Sequence, residues 1–284
     1  DDGSYGYTAP AVVNANISEP IGFTLTDTDG DTQSATLTLN VTNADLAPIV
    51  RDDSVITNIT GASAVIVIPD YALLNNDIDP DAQAIAITSA GSANDGTIVD
   101  NAIDITFTDD GDGNGGNFTY TGTAGALSDT GLVTIDRVQA GQAVLDGTGL
   151  NNILIGGTGN DTLDGNEGRD VLIGGAGDDT FDFNATVDSP SLAGADLIGD
   201  FQGSGVAGGD LINLATIDAN TGAANDQAFA FVAAQNAGVV ANSVTWSQSG
   251  GETIIRADVN GDTTADFVLR VAGLHTFVLQ DFVL

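Results

Sequence analysis

Apolar residues recur in this chain with three rhythms. Residues 1–46 alternate apolar and polar positions in short runs, SYGYT, IGFTLT and SATLTLNV, which is the period-two pattern of half-buried strands with Thr-rich faces. Residues 48–139 carry seven more such runs, at 53–58, 64–68, 84–90, 97–99, 102–107, 117–121 and 132–138, separated by turn signals. That number and spacing predict a β-sandwich. From Gly147 to Asp182 the rhythm changes to a strict period of nine: GTGLNNILI, GGTGNDTLD, GNEGRDVLI, GGAGDDTFD. Each block ends in a triplet x-U-x whose middle residue is large and apolar. Stacking the blocks aligns Leu154, Leu163, Leu172 and Phe181 as one core. Residues 183–284 return to β-type patterning, except for NDQAFAFVAAQNA (225–237), whose composition is helical. The expected fold class is all-β: sandwich modules, then a parallel β-roll, then a β-rich C-terminal cap.

The nonapeptides also carry chemistry. The last three follow G-[GN]-x-G-x-D-x-U-x. Glycine permits the tight turn before each triplet, and the aspartate closes that turn with its carboxylate inward. Stacked turns then generate columns of carboxylates, which repel unless a hard cation lies between them. All-oxygen donors suit Ca²⁺, and this repeat is a known calcium-binding β-helix signature. The candidate ligands are Asp161, Asp170 and Asp179, with the turn residues Gly157, Gly159, Gly175 and Gly177. The first block departs from the pattern: Leu150 replaces the fourth glycine and Asn152 the aspartate. It is expected to cap the stack and to ligate weakly or not at all. In calcium-binding β-helices with this repeat the ion lies between turns on the same side, which implies that blocks one and three pair, and two and four. That leaves about two sites between turns, the better one using Asp161 and Asp179.

Four other segments place acidic or amide oxygens at i, i+2 and i+4: Asp27/Asp29/Asp31, Asp77/Asp79/Asp81, Asp110/Asp112/Asn114 and Asp258/Asn260/Asp262. This spacing opens an EF-hand loop. The twelfth positions, Thr38, Thr88, Thr121 and Leu269, are not Glu, so none continues as one. They read as calcium-loop starts completed by other groups, Asp52 and Asp53 in the module and Asp266 in the cap. Ordinary Asp-Gly hairpin turns are the competing reading. Asp45, Asp52 and Asp53 flank a boundary at Ala47-Pro48, where a calcium-bridged linker over 43–53 is expected.

Composition narrows the classes. Five arginines, no lysine, 37 aspartates and 3 glutamates give 284 residues a formal charge of −35. An acidic solubilising surface would use glutamate as freely, so the skew favours short carboxylates reaching a cation against backbone. Self-repulsion in the cation-free chain opposes compaction. No basic patch exists for nucleic acid. No apolar run reaches the ~18 residues of a membrane span, and without Cys there is neither disulfide nor thiol chemistry. The N-terminal DDGSYGYTAP has no signal-peptide pattern; a processed chain or a piece of a longer one is expected. Catalysis has little to stand on: His275, the single histidine, lies in apolar VAGLHTFVL, with no HExxH and no GxSxG.

The nonapeptide block resembles the RTX repeats of proteins exported by type I secretion. TLTDTDGDT followed by a Thr-rich strand, APIVRDDSV and ALLNNDIDPD resemble parts of the Ig-like or cadherin-like modules of giant bacterial adhesins. ADLIGDF (195–201), GDLINL (209–214) and ETIIRADVNGDTTADFVLRV (252–271) resemble the cap of serralysin-type C-terminal domains, and the terminal Asp281-Phe-Val-Leu284 resembles an uncleaved export signal, although a last edge strand reads equally well. The resemblance implies a truncated module at 1–46, a full module at 47–139, the calcium roll at 140–182 and the cap with its export signal at 183–284. It implies a non-enzymatic, calcium-dependent adhesin at the bacterial surface. Its partners are the type I machinery, neighbouring modules of the chain, and surface glycans or other cells. A self-assembling surface-layer or filament protein and the export tail of a secreted enzyme are the alternatives. Ice binding needs regular Thr/Asn ranks, and x-G-T-G-N-D occurs once.

Overall fold

The computed structural model describes residues 6, 8, 16–42, 44–137, 139–206 and 208–284. The run SYGYT falls largely outside the described residues. The chain is built almost entirely of β-strands, with one four-residue helix, Asp70–Leu73, and short 3₁₀ turns. Ile17–Thr26 and Thr32–Val41 form an antiparallel hairpin with Ile21, Phe23 and Leu25 exposed on it.

The sandwich forms as its alternation predicts. Val65–Pro69, Asp104–Asp109 and Gly96–Asp100 make one sheet; Ala86–Asn94, Gly115–Ala124, Leu127–Asp136 and Asp53–Thr57 make the other. Inward side chains at every second position, including Ile66, Ile68, Ile105, Phe107, Phe118, Tyr120, Val133 and Ile135, fill the space between them.

The roll is continuous with this sandwich. Asp53–Thr57 pairs in parallel with Leu127–Asp136 on one side and with Ile153–Ile155 on the other. One eleven-stranded sheet therefore runs from the Ig-like lobe through Ile153–Ile155, Val171–Ile173 and Leu197–Ile198 into Phe267–Ala272, Glu252–Ala257 and Ser243–Ser249. The facing sheet stacks Val144–Asp146, Thr162–Asp164, Thr180–Asp182, Leu211–Asn213 and Phe282–Val283. Blocks one and three pair, as do two and four. Leu145, Leu154, Leu163, Leu172, Phe181, Ile198 and Ile212 line the interior.

Two expectations change. Block one does not cap the stack: Val144–Asp146, just ahead of it, already pairs with Thr162–Asp164, and the Ig-like strand covers block one. Odd and even triplets also differ for a reason. ILI and VLI are buried on both faces because Ile153, Ile155, Val171 and Ile173 join the sandwich core, whereas the flanks of TLD and TFD are only partly buried. Finally, 225–237 forms no helix; it contains the short strand Ala230–Phe231, and neighbouring strands override its local composition.

Candidate metal centre

Each roll turn delivers its aspartate to the turn before it. On one flank the Asn152 N–H donates to Asp170 Oδ1 (2.6 Å), and the Asp170 N–H to Asp196 Oδ1 (2.7 Å). On the other the Asp161 N–H donates to Asp179 Oδ1 (2.8 Å), and the Asp179 N–H to Asp210 Oδ1 (2.9 Å). One oxygen of each carboxylate thus belongs to the ladder. The second oxygens of Asp170, Asp179 and Asp196 are buried with no hydrogen-bond partner. Unpartnered buried oxygens are costly. Here they recur in register on one flank, at Asp170 and Asp196, with Asp179 alone on the other.

The glycines make room for these oxygens. A Cβ at Gly165 would lie 2.6 Å from Asp170 Oδ2, and one at Gly174 would collide with Asp179 Oδ2. Of the four candidate glycines, Gly159, Gly175 and Gly177 have positive φ and Gly157 does not. At Gly157 the need is space beneath Asn58 and Ile59.

Burial governs the electrostatics. It pushes the Asp170 carboxyl up to about 8 and Asp179 up to about 6, with nearby carboxylates adding to the shift. Asp196, Asp200, Asp210 and Asp188 are raised for the same first reason. These shifts mark negative charge held without a counter-charge. Oxygen-only donors, a cradle too tight for side chains and unused buried oxygens together fit a hard divalent cation. Asp170, Asp179 and Asp196 present the free oxygens placed to hold it, and Asp161 and Asp210 continue the columns with both oxygens hydrogen-bonded.

The period of nine does not reveal Asp196, Asp200 and Asp210. The signal that does is the triplet itself: Asp196-Leu-Ile198 and Asp210-Leu-Ile212 repeat the D-x-U of the blocks after the glycines have gone. Asp200 accepts the Gly174 and Gly175 N–H groups (2.9 Å each), closing the fourth block's turn from the cap.

The other acidic segments behave differently. Asp258, the head of the cap loop, is buried, which by itself would raise its pKa. N–H groups of Gly261, Thr263 and Asn260 on its two oxygens hold it below the usual range. Asp266 accepts the Val259 N–H and the Asn260 side-chain amide, and Asp262 accepts the Thr264 N–H. The expected cation loop of Asp258, Asn260, Asp262 and Asp266 is thus a hydrogen-bonded turn whose head carboxylate has no free oxygen. At 110–114 the anchor is the unexpected Asp109, ion-paired to Arg137 (2.7 Å) and accepting N–H groups of Gly111, Gly113 and Gly115. Asp110 and Asp112 close successive turns onto the N–H groups of Asp112 and Asn114. Carboxylate oxygens of Asp109, Asp110 and Asp112 converge at this loop, and those of Asp27, Asp29 and Asp31 at the exposed tip of the first hairpin.

Around the sandwich entrance the candidates spread out. Asp77 accepts the Arg51 N–H (2.7 Å) and the Tyr120 hydroxyl (3.0 Å). Asp52 accepts the Leu132 N–H, Asp79 those of Asp81 and Gln83, and Asp81 that of Leu46. Asp45 accepts the Gln83 side-chain amide. Segment 44–53 is therefore tied to the module by direct hydrogen bonds. Unpartnered buried oxygens remain on Asp53, Asp79 and Asp81, and burial pushes the Asp53 carboxyl up to about 8.

His275 sits between Phe201 and Phe277. Its Nε2 lies 2.8 Å from the Ala272 carbonyl and Nδ1 3.2 Å from Ser204 Oγ. The carbonyl can only accept, so Nε2 donates and Nδ1 accepts. Both ring nitrogens serve packing. The terminal segment is a strand: Phe282–Val283 pairs with Leu211–Asn213, and the Asp281 carboxylate accepts the Gly205 and Val278 N–H groups. No helix among the described residues is long and apolar enough to cross a membrane.

No curated protein sequence matches the chain. Among solved structures it is similar to the AlgE6R3 subunit of the Azotobacter vinelandii mannuronan C5-epimerase, 27% identical, covering 49% of this chain and 76% of that one, with a TM-score of 0.29. Residues 44–136 match the bacterial Ig domain family. Residues 123–284, more than half of the sequence, match the peptidase M10 serralysin C-terminal family, and the chain belongs to that family.

Proposed function

We propose that this chain is the calcium-dependent C-terminal region of a large secreted surface protein, and that the roll and cap act as its export and folding-nucleation end. The observation that carries the reading is the pair of carboxylate columns, whose second oxygens on Asp170, Asp179 and Asp196 are buried and unused. Ca²⁺ supplies one thing there: positive charge that lets the columns pack. The residues do the rest. Asp161, Asp170, Asp179, Asp196 and Asp210 present oxygens, the glycines let the turns approach, and the U-position side chains bury the interior. Where calcium is scarce, a chain of charge −35 with uncompensated columns stays expanded and suits passage through a type I exporter. Outside, calcium lets the roll and cap form first.

The adhesin assignment rests on the sequence resemblance and on an Ig-like lobe fused in series with the roll. Neighbouring modules and surface glycans or other cells are its partners in this reading, and the chain itself is not an enzyme. The family match to the C-terminal part of peptidases supports the second reading, an export tail of a secreted enzyme. Both readings share one test. A passenger fused ahead of residues 123–284 should reach the medium of a Gram-negative host carrying a type I exporter, and removal of 281–284 should hold it inside. Export unchanged by that removal would count against the terminal signal. For adhesion, cells displaying the full protein should attach to surfaces in Ca²⁺ and detach in EDTA; attachment indifferent to deletion of the whole protein would refute the adhesin reading.

A further inference from the structure

The two carboxylate columns begin differently. At the head of the first, Asn152 Oδ1 accepts the Thr148 N–H (2.7 Å) and hydroxyl (2.8 Å), so its own turn satisfies it. At the head of the second stands Asp161. Its Oδ1 occupies the place where, one step down, Asp179 accepts a backbone N–H from the turn before. No roll turn precedes Asp161 on that flank. Asn58 of the Ig-like lobe, the residue after strand Asp53–Thr57, donates Nδ2–H there instead (2.7 Å). A side-chain amide stands in for the missing turn.

That amide has a second consequence. Its other proton goes to the Gln142 carbonyl (2.7 Å). Both neighbours of Nδ2 are acceptors, so turning the amide over would set oxygen against oxygen, and the orientation is fixed. Asn58 Oδ1 must then point away from both. It is buried, Asn58 being only 7% exposed, and it has no hydrogen-bond partner. It hangs over the first glycine turn, where a Cβ on Gly157 would meet it at 3.3 Å. Asp161 is equally buried, at 7% exposure. Its second oxygen takes only the Gly157 N–H (3.1 Å), and among the described residues no cationic side chain pairs with it. A buried carboxylate with no counter-charge, next to an amide oxygen with no donor, is unfavourable on both counts. The remedy common to both is a cation. A groove lined by Asn58, Thr60, Gln142 and Gly156–Asp161 leads to this point from solvent.

We propose that Asn58 Oδ1 and the Asp161 carboxylate form a further Ca²⁺ site that joins the Ig-like lobe to the roll. It rests on the calcium reading of the roll but adds a site that the nonapeptides alone do not contain. Its effect is mechanical. Strand pairing between Asp53–Thr57 and Ile153–Ile155 aligns the two lobes, and the ion ties them at the end of that strand.

The test uses the full chain and Ca²⁺ alone. Calcium stoichiometry is counted by native mass spectrometry and titration calorimetry for the parent, Asn58→Ala and Asn58→Asp, with circular dichroism in Ca²⁺ and in EDTA. Asn58→Ala should bind one ion fewer and need at least threefold more calcium for half-maximal folding. Asn58→Asp should keep the parental count, show no more β signal than the parent in EDTA because two carboxylates then face each other, and need less calcium to fold. An asparagine serving only as a structural cap predicts an unchanged ion count in Asn58→Ala and an Asn58→Asp variant weakened equally in both media; either result overturns the proposal while leaving the roll sites standing. If Asn58→Ala does not fold, the Asn58→Asp calcium midpoint decides alone: lower supports the site, equal or higher refutes it. A parent chain that binds no calcium removes the roll reading as well.

Discussion

Asp170 and Asp258 are both fully buried aspartates of the same half of the chain, and they are held in opposite ways. Backbone N–H groups cover both oxygens of Asp258, so its charge is solvated by the turn it closes. Asp170 receives one N–H on one oxygen and nothing on the other. The first is a finished structure; the second is finished only when something else arrives. An isolated hairpin can curl its own backbone around a carboxylate. In a stacked turn the nearest N–H groups are already spent on ladder bonds to the turns above and below, such as Val171 N–H to the Asn152 carbonyl and Leu197 N–H to the Asp170 carbonyl. Repetition therefore creates the vacancy in hydrogen bonding that a cation fills.

The largest effect should come from removing the cation. In EDTA the chain should lose β signal in circular dichroism, most steeply in 147–284, and regain it with Ca²⁺ but only weakly with Mg²⁺, which requires smaller octahedral cages. Asp161→Ala together with Asp179→Ala should raise the calcium needed for recovery. A full β signal with a cooperative melt in excess EDTA would put Asp170 in the same class as Asp258 and end the comparison.

Acidity should separate the two classes next. Burial raises the folded-state pKa of Asp170 to about 8 and of Asp179 to about 6, above the ordinary value near 3.8. The cation-free fold therefore binds protons more tightly than the unfolded chain. Its stabilisation is fully present below about pH 4 and is lost as pH rises through 6 and then 8. In EDTA the protonated chain should keep part of its β signal near pH 5 and lose it as pH rises to 8.5. With saturating Ca²⁺ the same interval should show a rise, because the ion binds the deprotonated carboxylates. Parallel pH profiles in the two media would contradict the assignment of these groups as ligands.

The pairing of alternate blocks is what the resemblance to RTX repeats implies, and the structure has it. The sequence shows the sandwich strands because alternation survives at each of them. The fused sheet is written more faintly, in the apolar flanks of ILI and VLI against the polar flanks of TLD and TFD, and it becomes visible only with the odd triplets facing Val55 and the sandwich core. The i, i+2, i+4 aspartates divide for a physical reason: Asp79 and Asp81 keep buried unpartnered oxygens, and Asp258 does not. Asp-x-Asp-Gly serves an Asx turn and a cation loop equally well, and the choice depends on whether backbone N–H groups reach both oxygens. Around Asp258 they do; spacing alone carries no record of it. Asp196 and Asp210 lie beyond the glycine period, and only D-x-U connects them to it.

A smaller effect tests the finished class directly. Asp258→Ala strips the acceptors from three N–H groups and should cost roughly 1–3 kcal/mol. That loss should be the same in Ca²⁺ and in the calcium-free fold that protons stabilise near pH 5, and the ion count should not change. A calcium-dependent loss would move Asp258 into the ligand class.

The smallest effect belongs to the hairpin tip. Asp27 accepts the N–H groups of Asp29 and Asp31, while Asp29 and Asp31 are exposed. Three carboxylates converge there with water on every side, so screening takes over the work that a cation does in the roll. Asp29→Asn removes one charge from that cluster without disturbing the turn bonds that Asp27 makes. Its effect on the melt of the calcium-free fold near pH 5 should stay within about 0.5 kcal/mol, as for surface changes away from special features. In millimolar Ca²⁺ it should be equally slight. A larger shift confined to calcium would show that an exposed Asp-Gly turn gathers an ion as firmly as a buried column, and burial would no longer be what divides the aspartates of this chain.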